Sequence, residues 1–145
     1  MKIVNMKIFS IISSLILLVA CSSPTNNLIG KWKLEFIDYS PYFEEVSEEV
    51  KMMFQEKMRD QTKRMIGKTF FEFNTDNSMR LESPNFENII VPFDGKWKFN
   101  NAKDSVVFDL DGEEHYKIEE ITTNKLVLTT NESPKRILSF SKVDS

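Results

Sequence analysis

Between residues 28 and 36, apolar and charged side chains alternate: Trp32, Leu34 and Phe36 share one parity, and Lys31, Lys33 and Glu35 share the other. Period-2 alternation marks a strand with one face buried and one face wetted. Gly30 precedes the run, where a residue without a Cβ lets another backbone or a ring come close. The same rhythm returns downstream. It marks strands at 68–74, 78–82, 88–93, 95–100, 106–110, 113–121, 125–130 and 136–143, with pairs such as Trp97 and Phe99, or Tyr116 and Ile118, on one face. Turn formers separate these runs, and Asp94-Gly95 and Asp111-Gly112 both read as tight hairpins. Closely spaced antiparallel strands close best into an up-and-down barrel, which leaves no exposed edge.

One segment has a different period. After Ser40, an N-cap candidate, and Pro41, suited to a first helical turn, come Phe43, Val46, Val50, Met53, Phe54, Met58 and Met65 on one helical stripe. Gly67 is a C-terminal stop. Glu44, Glu45, Glu48 and Glu49 near the start, and Lys63, Arg64 and Lys68 near the end, suit the helix dipole. A helix over 41–66 would be about 39 Å long at 1.5 Å per residue, long enough to bend or divide. The stripe is too apolar to face water, so it should pack on the barrel with Phe54 and Met58 near the centre of the contact. The expected class is mainly β: an up-and-down antiparallel barrel of about eight to nine strands, with one amphipathic helix inserted after the first strand.

Residues 1–20 are an address. Lys2 and Lys7 are cationic, and the run from Ile8 to Ala20 is apolar yet shorter than the roughly 20 residues a spanning helix needs. Met6-Lys7 begins an adequate signal by itself, so either Met1 or Met6 can be the start. Leu18-Val19-Ala20-Cys21 resembles the lipobox of bacterial lipoproteins, whose cysteine is lipid-modified and becomes the new N-terminus. Cys21 is the single cysteine, so no internal disulfide can form. Residues 21–27 then form a lipid-anchored polar tether, and 28–145 the folded domain. The acidic run that resembles a surface-export tag in some bacterial lipoproteins is missing after Cys21, which implies the periplasmic face of the envelope.

Charge narrows the partners. Without Lys2 and Lys7 the net charge moves from -3 to -5, with no basic run. That argues against nucleic acid and against electrostatic adhesion to anionic lipid. Catalytic chemistry finds no constellation: no carboxylate pair stands out, no serine or cysteine sits in a nucleophile motif, and no glycine loop cradles phosphate. The expectation is no enzyme, no cofactor and no metal. His115, the single histidine, alternates with Lys117 and Glu119 on a wet face and lacks companion ligands for zinc. Asp104, Asp109 and Asp111 lack the spacing of a calcium loop. Met52 lies opposite Met53, Met58 and Met65, so these thioethers read as adaptable packing and not as a copper site.

With those residues in place, the chain resembles bacterial lipocalin-like lipoproteins, calycin-type β-barrels anchored in the envelope. The resemblance rests on Gly30-x-Trp32 opening the first strand, on Gly95-Lys96-Trp97-Lys98, and on the meander from Tyr116-Lys117-Ile118 to Leu126-Val127-Leu128. It implies that Trp32 plugs the closed end of the barrel beneath a basic residue of the last strand, with Arg136 and Lys142 as the candidates. Gly30, Trp32, Trp97 and that basic residue would be structural. The inserted helix departs from an ordinary lipocalin and is closer to the helical insertion of fatty-acid-binding relatives. Phe36, Phe54, Met58, Phe71, Phe73 and Phe108 are the candidate ligand-binding residues. They either line a cavity for a small apolar ligand or pack the barrel solid, which would make it a structural or protein-interaction module.

Overall fold

The computed structural model describes residues 23–144. Cys21 and the apolar run before it lie outside the described residues. Eight strands form a closed barrel: β1 (Gly30–Asp38), β2 (Phe70–Phe73), β3 (Ser78–Pro84), β4 (Ile90–Phe99), β5 (Ser105–Asp109), β6 (Glu113–Ile121), β7 (Lys125–Thr130) and β8 (Ile137–Lys142). Each strand pairs antiparallel with its successor, and β8 returns to β1. Among the described residues, the core runs from Leu28 to Phe140.

Eight strands fall within the expected eight to nine, and the runs at 88–93 and 95–100 are one strand because Asp94-Gly95 is no turn. The register from Ser78↔Lys96 to Pro84↔Ile90 runs through both residues without a break. Gly95 is there for close approach: a Cβ would lie 2.3 Å from the Asp109 carbonyl oxygen of the neighbouring strand. Asp111-Gly112 does turn the chain, with Gly112 at φ 126°.

The helical insertion divides. A short α2 (Ser40–Phe43) and a long α3 (Glu48–Met65) stand where one helix over 41–66 was expected. Ser47 restarts the helix by accepting from the Val50 amide at 3.4 Å, and Glu48 and Glu49 fill the first turn. Ser40 is not the cap. Its amide and hydroxyl both donate to Asp38 Oδ1, at 2.8 and 2.5 Å. At the far end the Gly67 amide donates to the Leu34 carbonyl at 2.8 Å, tying the exit of α3 to β1. Of the expected stripe, Met58 is buried, and Phe43, Phe54 and Met65 pack against the core from partly buried positions. Met53 points outward, 70% exposed.

Within and just beyond the expected 21–27 tether, the chain is helical. Residues 24–28 form α1 (Pro24–Leu28), N-capped by Ser23, and Leu28 is fully buried.

Candidate functional site

The two ends of the barrel differ in chemistry. At the closed end Trp32 is fully buried, and its indole Nε1 donates to the Leu28 carbonyl at 2.7 Å. Lys142, from the end of β8, sets its Nζ 4.9 Å from the Trp32 ring centroid and donates to the Asn27 carbonyl at 3.0 Å. Burial holds the Lys142 ammonium below the ordinary lysine range. Gly30 makes room for that side chain: at φ 123°, its missing Cβ would meet Lys142 Cε at 2.7 Å. Lys142 is therefore the basic partner of Trp32. Trp97 closes the same end from β4, its Nε1 donating to the Asn74 carbonyl at 3.2 Å and its ring edge-on to Phe73 and Phe99.

Aromatic rings occupy the middle. Phe71, Phe73 and Phe108 are buried and face inward, but they face one another. Ring centroids lie 5.5 Å apart for Phe71–Phe108, 5.4 Å for Phe73–Phe108 and 5.0 Å for Phe71–Phe140. Tyr116 continues the stack at 4.7 Å from Phe108. These rings fill the barrel, leaving an inner chamber of about 60 Å³. Phe36 is no part of it. A bulge between Leu34 and Phe36 shifts the register of β1 against β8, so Ile37 takes the inward position and Phe36 is 55% exposed. Met58 and Phe54 approach from α3, across the open end.

The small chamber sits at that open end, between Leu34, Met65, Thr69, Phe71, Tyr116 and Arg136, among others. Its upper wall is polar. The Thr69 and Ser83 hydroxyls are 3.0 Å apart, and the Tyr116 hydroxyl donates to the Glu114 carboxylate. Burial, and then that carboxylate, push the Tyr116 phenol well above the usual tyrosine range. Arg136 shares the inward parity of Leu138 and Phe140, and among the described residues its Nε is the one buried side-chain polar atom without a hydrogen-bond partner. Outside the chamber an apolar groove of about 400 Å³ opens to solvent, formed by Leu81, Phe93 and Leu110 with Asp111, Gly112, Glu113 and Glu114 along its rim. Leu81 borders both spaces.

The groove residues were not assigned from the sequence, and Arg136, one of the two candidates for packing over Trp32, lines the inner chamber instead. Parity held the signal for Arg136: a charge two positions before Leu138 and four before Phe140 stands on an apolar face. His115 is half-exposed, 3.7 Å from Glu113. Among the described residues, no group of three or more His, Cys, Asp or Glu side chains is placed to hold a metal ion.

A barrel with one end plugged by tryptophan under lysine, an aromatic interior and a mouth crossed by a helix is a calyx-type barrel. The chain belongs to the lipocalin-like domain family, which matches it over residues 28–128. Its fold is similar to that of a lipocalin-like protein from Bacteroides uniformis ATCC 8492, at 16% identity and a TM-score of 0.54, covering 81% of this chain and 99% of that one. It is similar in the same way to an uncharacterized protein from Bacteroides eggerthii DSM 20697, at 18% identity and a TM-score of 0.53, covering 80% and 99%. No curated protein matches the chain. The lipocalin-like fold is typically a non-enzymatic fold that binds small hydrophobic ligands.

Proposed function

We propose that this chain is a lipid-anchored lipoprotein of a bacterial cell envelope that binds a small hydrophobic ligand at the open end of its barrel. One observation carries the binding site: the apolar groove of Leu81, Phe93 and Leu110, about 400 Å³, meets the inner chamber at Leu81. Ligand pockets commonly measure about 300–1,000 Å³, so the groove qualifies and the chamber of about 60 Å³ alone does not. The ligand therefore lies in the mouth, above the packed rings, with α3 beside it. The chain acts by holding this molecule and not by transforming it. Native mass spectrometry of the barrel, residues 23–145, purified without detergent, tests the reading. A co-purified apolar molecule lost on Leu81→Glu is the expected result, and an empty barrel that also takes up no apolar probe refutes it.

The anchor rests on the apolar run ending in Leu18-Val19-Ala20-Cys21. Cys21→Ser should yield a chain that no longer partitions into detergent. A variant that stays in the membrane fraction with native mobility would sink the lipobox assignment. Without an acidic run after Cys21, the periplasmic face is the expected side.

A second reading, a filled barrel serving as a protein-interaction module, has its own observation. Phe86, at the tip of the β3–β4 hairpin, is 86% exposed, and Ile89 and Ile90 beside it are more than 40% exposed. Arg64 of α3 lies over the Phe86 ring at 5.4 Å, so the exposed apolar hairpin tip rests against the helix.

A further inference from the structure

The walls of the barrel differ in height at the mouth. β4 pairs with β3 from Ser78↔Lys96 to Pro84↔Ile90, but with β5 only from Lys96 to Phe99. The stretch Ile90–Asp94 therefore stands beyond the end of β5 with one edge open. Hydrogen bonds at the two ends of the β3–β4 ladder fix which groups face that edge. The Trp97 amide donates to the Asn77 carbonyl, and the Asn85 amide to the Ile89 carbonyl, each at 2.9 Å. Backbone groups alternate in direction along a strand, so odd-numbered residues of β4 bond to β3 and even-numbered ones turn away. Ile90 and Asp94 each aim an amide and a carbonyl at the open side, and Pro92 aims a carbonyl. Among the described residues no backbone group pairs with them there. Phe93 and its registered partner Leu81 face the groove beside this edge, and Leu110 is part of the same groove.

We propose that the mouth binds an extended cationic peptide, which adds as a short strand to the open edge of β4 and sets alternate apolar side chains over Leu81, Phe93 and Leu110. This rests on the reading of the groove as an apolar-ligand site and names the class of the ligand. Strand addition draws affinity from main-chain hydrogen bonds and specificity from pockets under alternate side chains, and this mouth supplies both. The open edge is roughly 17 Å long at about 3.3 Å per residue, so about five ligand residues pair with it. Charge sets the sign of the ligand. Asp94 lies on the edge, Asp111, Glu113 and Glu114 border the groove, and among the described residues Asp111 forms no ion pair, whereas Lys98 meets Glu113 at 2.7 Å. Pro92 disfavours a second copy as the occupant. Two copies joined along this edge, each Ile90 opposite an Asp94, would set the two prolines face to face, where neither has an N–H to donate.

Residues directly opposite each other in a sheet share a face, so ligand side chains opposite Phe93 lie over the groove while their neighbours direct their amides at β4. The probe is an acetylated, amidated peptide alternating lysine and valine, with lysine at both ends and in the middle. With its valines over the groove, its lysine amides face β4. N-methylating the lysine amides blocks the paired edge, and N-methylating the valine amides blocks only the free one. Titrated into the full chain in phosphatidylcholine nanodiscs, the parent and valine-methylated peptides should bind alike, and the lysine-methylated one about tenfold or more weaker, the loss of at least one hydrogen bond. In the unaltered chain, the Ile90 and Asp94 amide resonances should shift and exchange more slowly on adding the parent peptide. A glutamate-for-lysine peptide should bind more weakly, and the reverse order would overturn the cationic assignment. Equal binding of the two methylated peptides, or bound peptide with both amides unmoved, would overturn strand addition. Decanol, which has no amide, reports on the groove through the Leu81 methyl resonances. Decanol binding without peptide binding overturns the proposal and leaves the apolar-ligand reading standing, and failure of both probes removes both. Slow exchange of these amides before any peptide is added, in a chain that cross-links as a dimer, would give the edge to a second copy and overturn the proposal as well.

Discussion

Replacing Trp32 tests the closed end most directly. The side chain is fully buried, its Nε1 bonded to the Leu28 carbonyl at 2.7 Å and its face 4.9 Å from Lys142 Nζ. Truncation to alanine removes the ring, opens a cavity between Leu28 and Lys142, and leaves the carbonyl without its donor. Large aromatic-to-alanine changes in cores cost about 3–5 kcal/mol. For a domain of this size each kcal/mol lowers the melting temperature by about 4 °C, so Trp32→Ala should melt about 12–20 °C below the parent. Trp32→Phe keeps an aromatic face beneath the lysine but leaves the Leu28 carbonyl unpaired, a loss of about 1–3 kcal/mol. The two variants should therefore fall in order. Urea unfolding followed by far-UV circular dichroism measures both, and an unchanged slope would show that the unfolded state is the same. A Trp32→Ala midpoint within about 1 kcal/mol of the parent would refute the plug, given the range expected for a buried ring.

Three further outcomes follow from the geometry. Met58→Ala should cost about 2–5 kcal/mol as a buried-side-chain truncation, while Met53→Ala should stay within about 0.5 kcal/mol, and equal midpoints in urea would show that α3 does not dock through Met58. Gly95→Val should prevent β4 from pairing with β5 as observed, because its Cβ would meet the Asp109 carbonyl oxygen at 2.3 Å; a soluble variant with the parent's melting temperature would contradict that approach. The Tyr116 phenol titrates near 10.0 when unfolded and higher in the fold, so its contribution is complete below pH 10 and is lost as pH rises above it. Unfolding midpoints of the parent should accordingly fall faster between pH 9 and 11 than those of Tyr116→Phe, and parallel profiles would show that the phenol is not perturbed.

Strand alternation is a local property: which face a side chain takes follows from the pleat, so the strands, the closure into a barrel and the burial of Trp32, Trp97, Phe108 and Leu128 were legible in the residues themselves. The inserted helix was legible for the same reason, through its period and its terminal charges. What local pattern cannot encode is where pairing slips. A single bulge between Leu34 and Phe36 turns Phe36 from the interior to solvent, because one added residue inverts the parity of everything beyond it. Likewise Asp94-Gly95 and Asp111-Gly112 carry the same turn signal, yet only the second turns. Gly95 serves instead the close approach of a neighbouring strand that is distant in sequence. Arg136 and Lys142 share one inward parity, and they stand six positions apart, at the mouth and at the plug. Only the barrel's register placed Lys142 over Trp32 and Arg136 in the chamber. Whether the phenylalanines lined a cavity or filled it was equally beyond the sequence, since that depends on rings from β2, β5 and β8 meeting at about 5 Å, a distance set by closure of the barrel and by no segment alone.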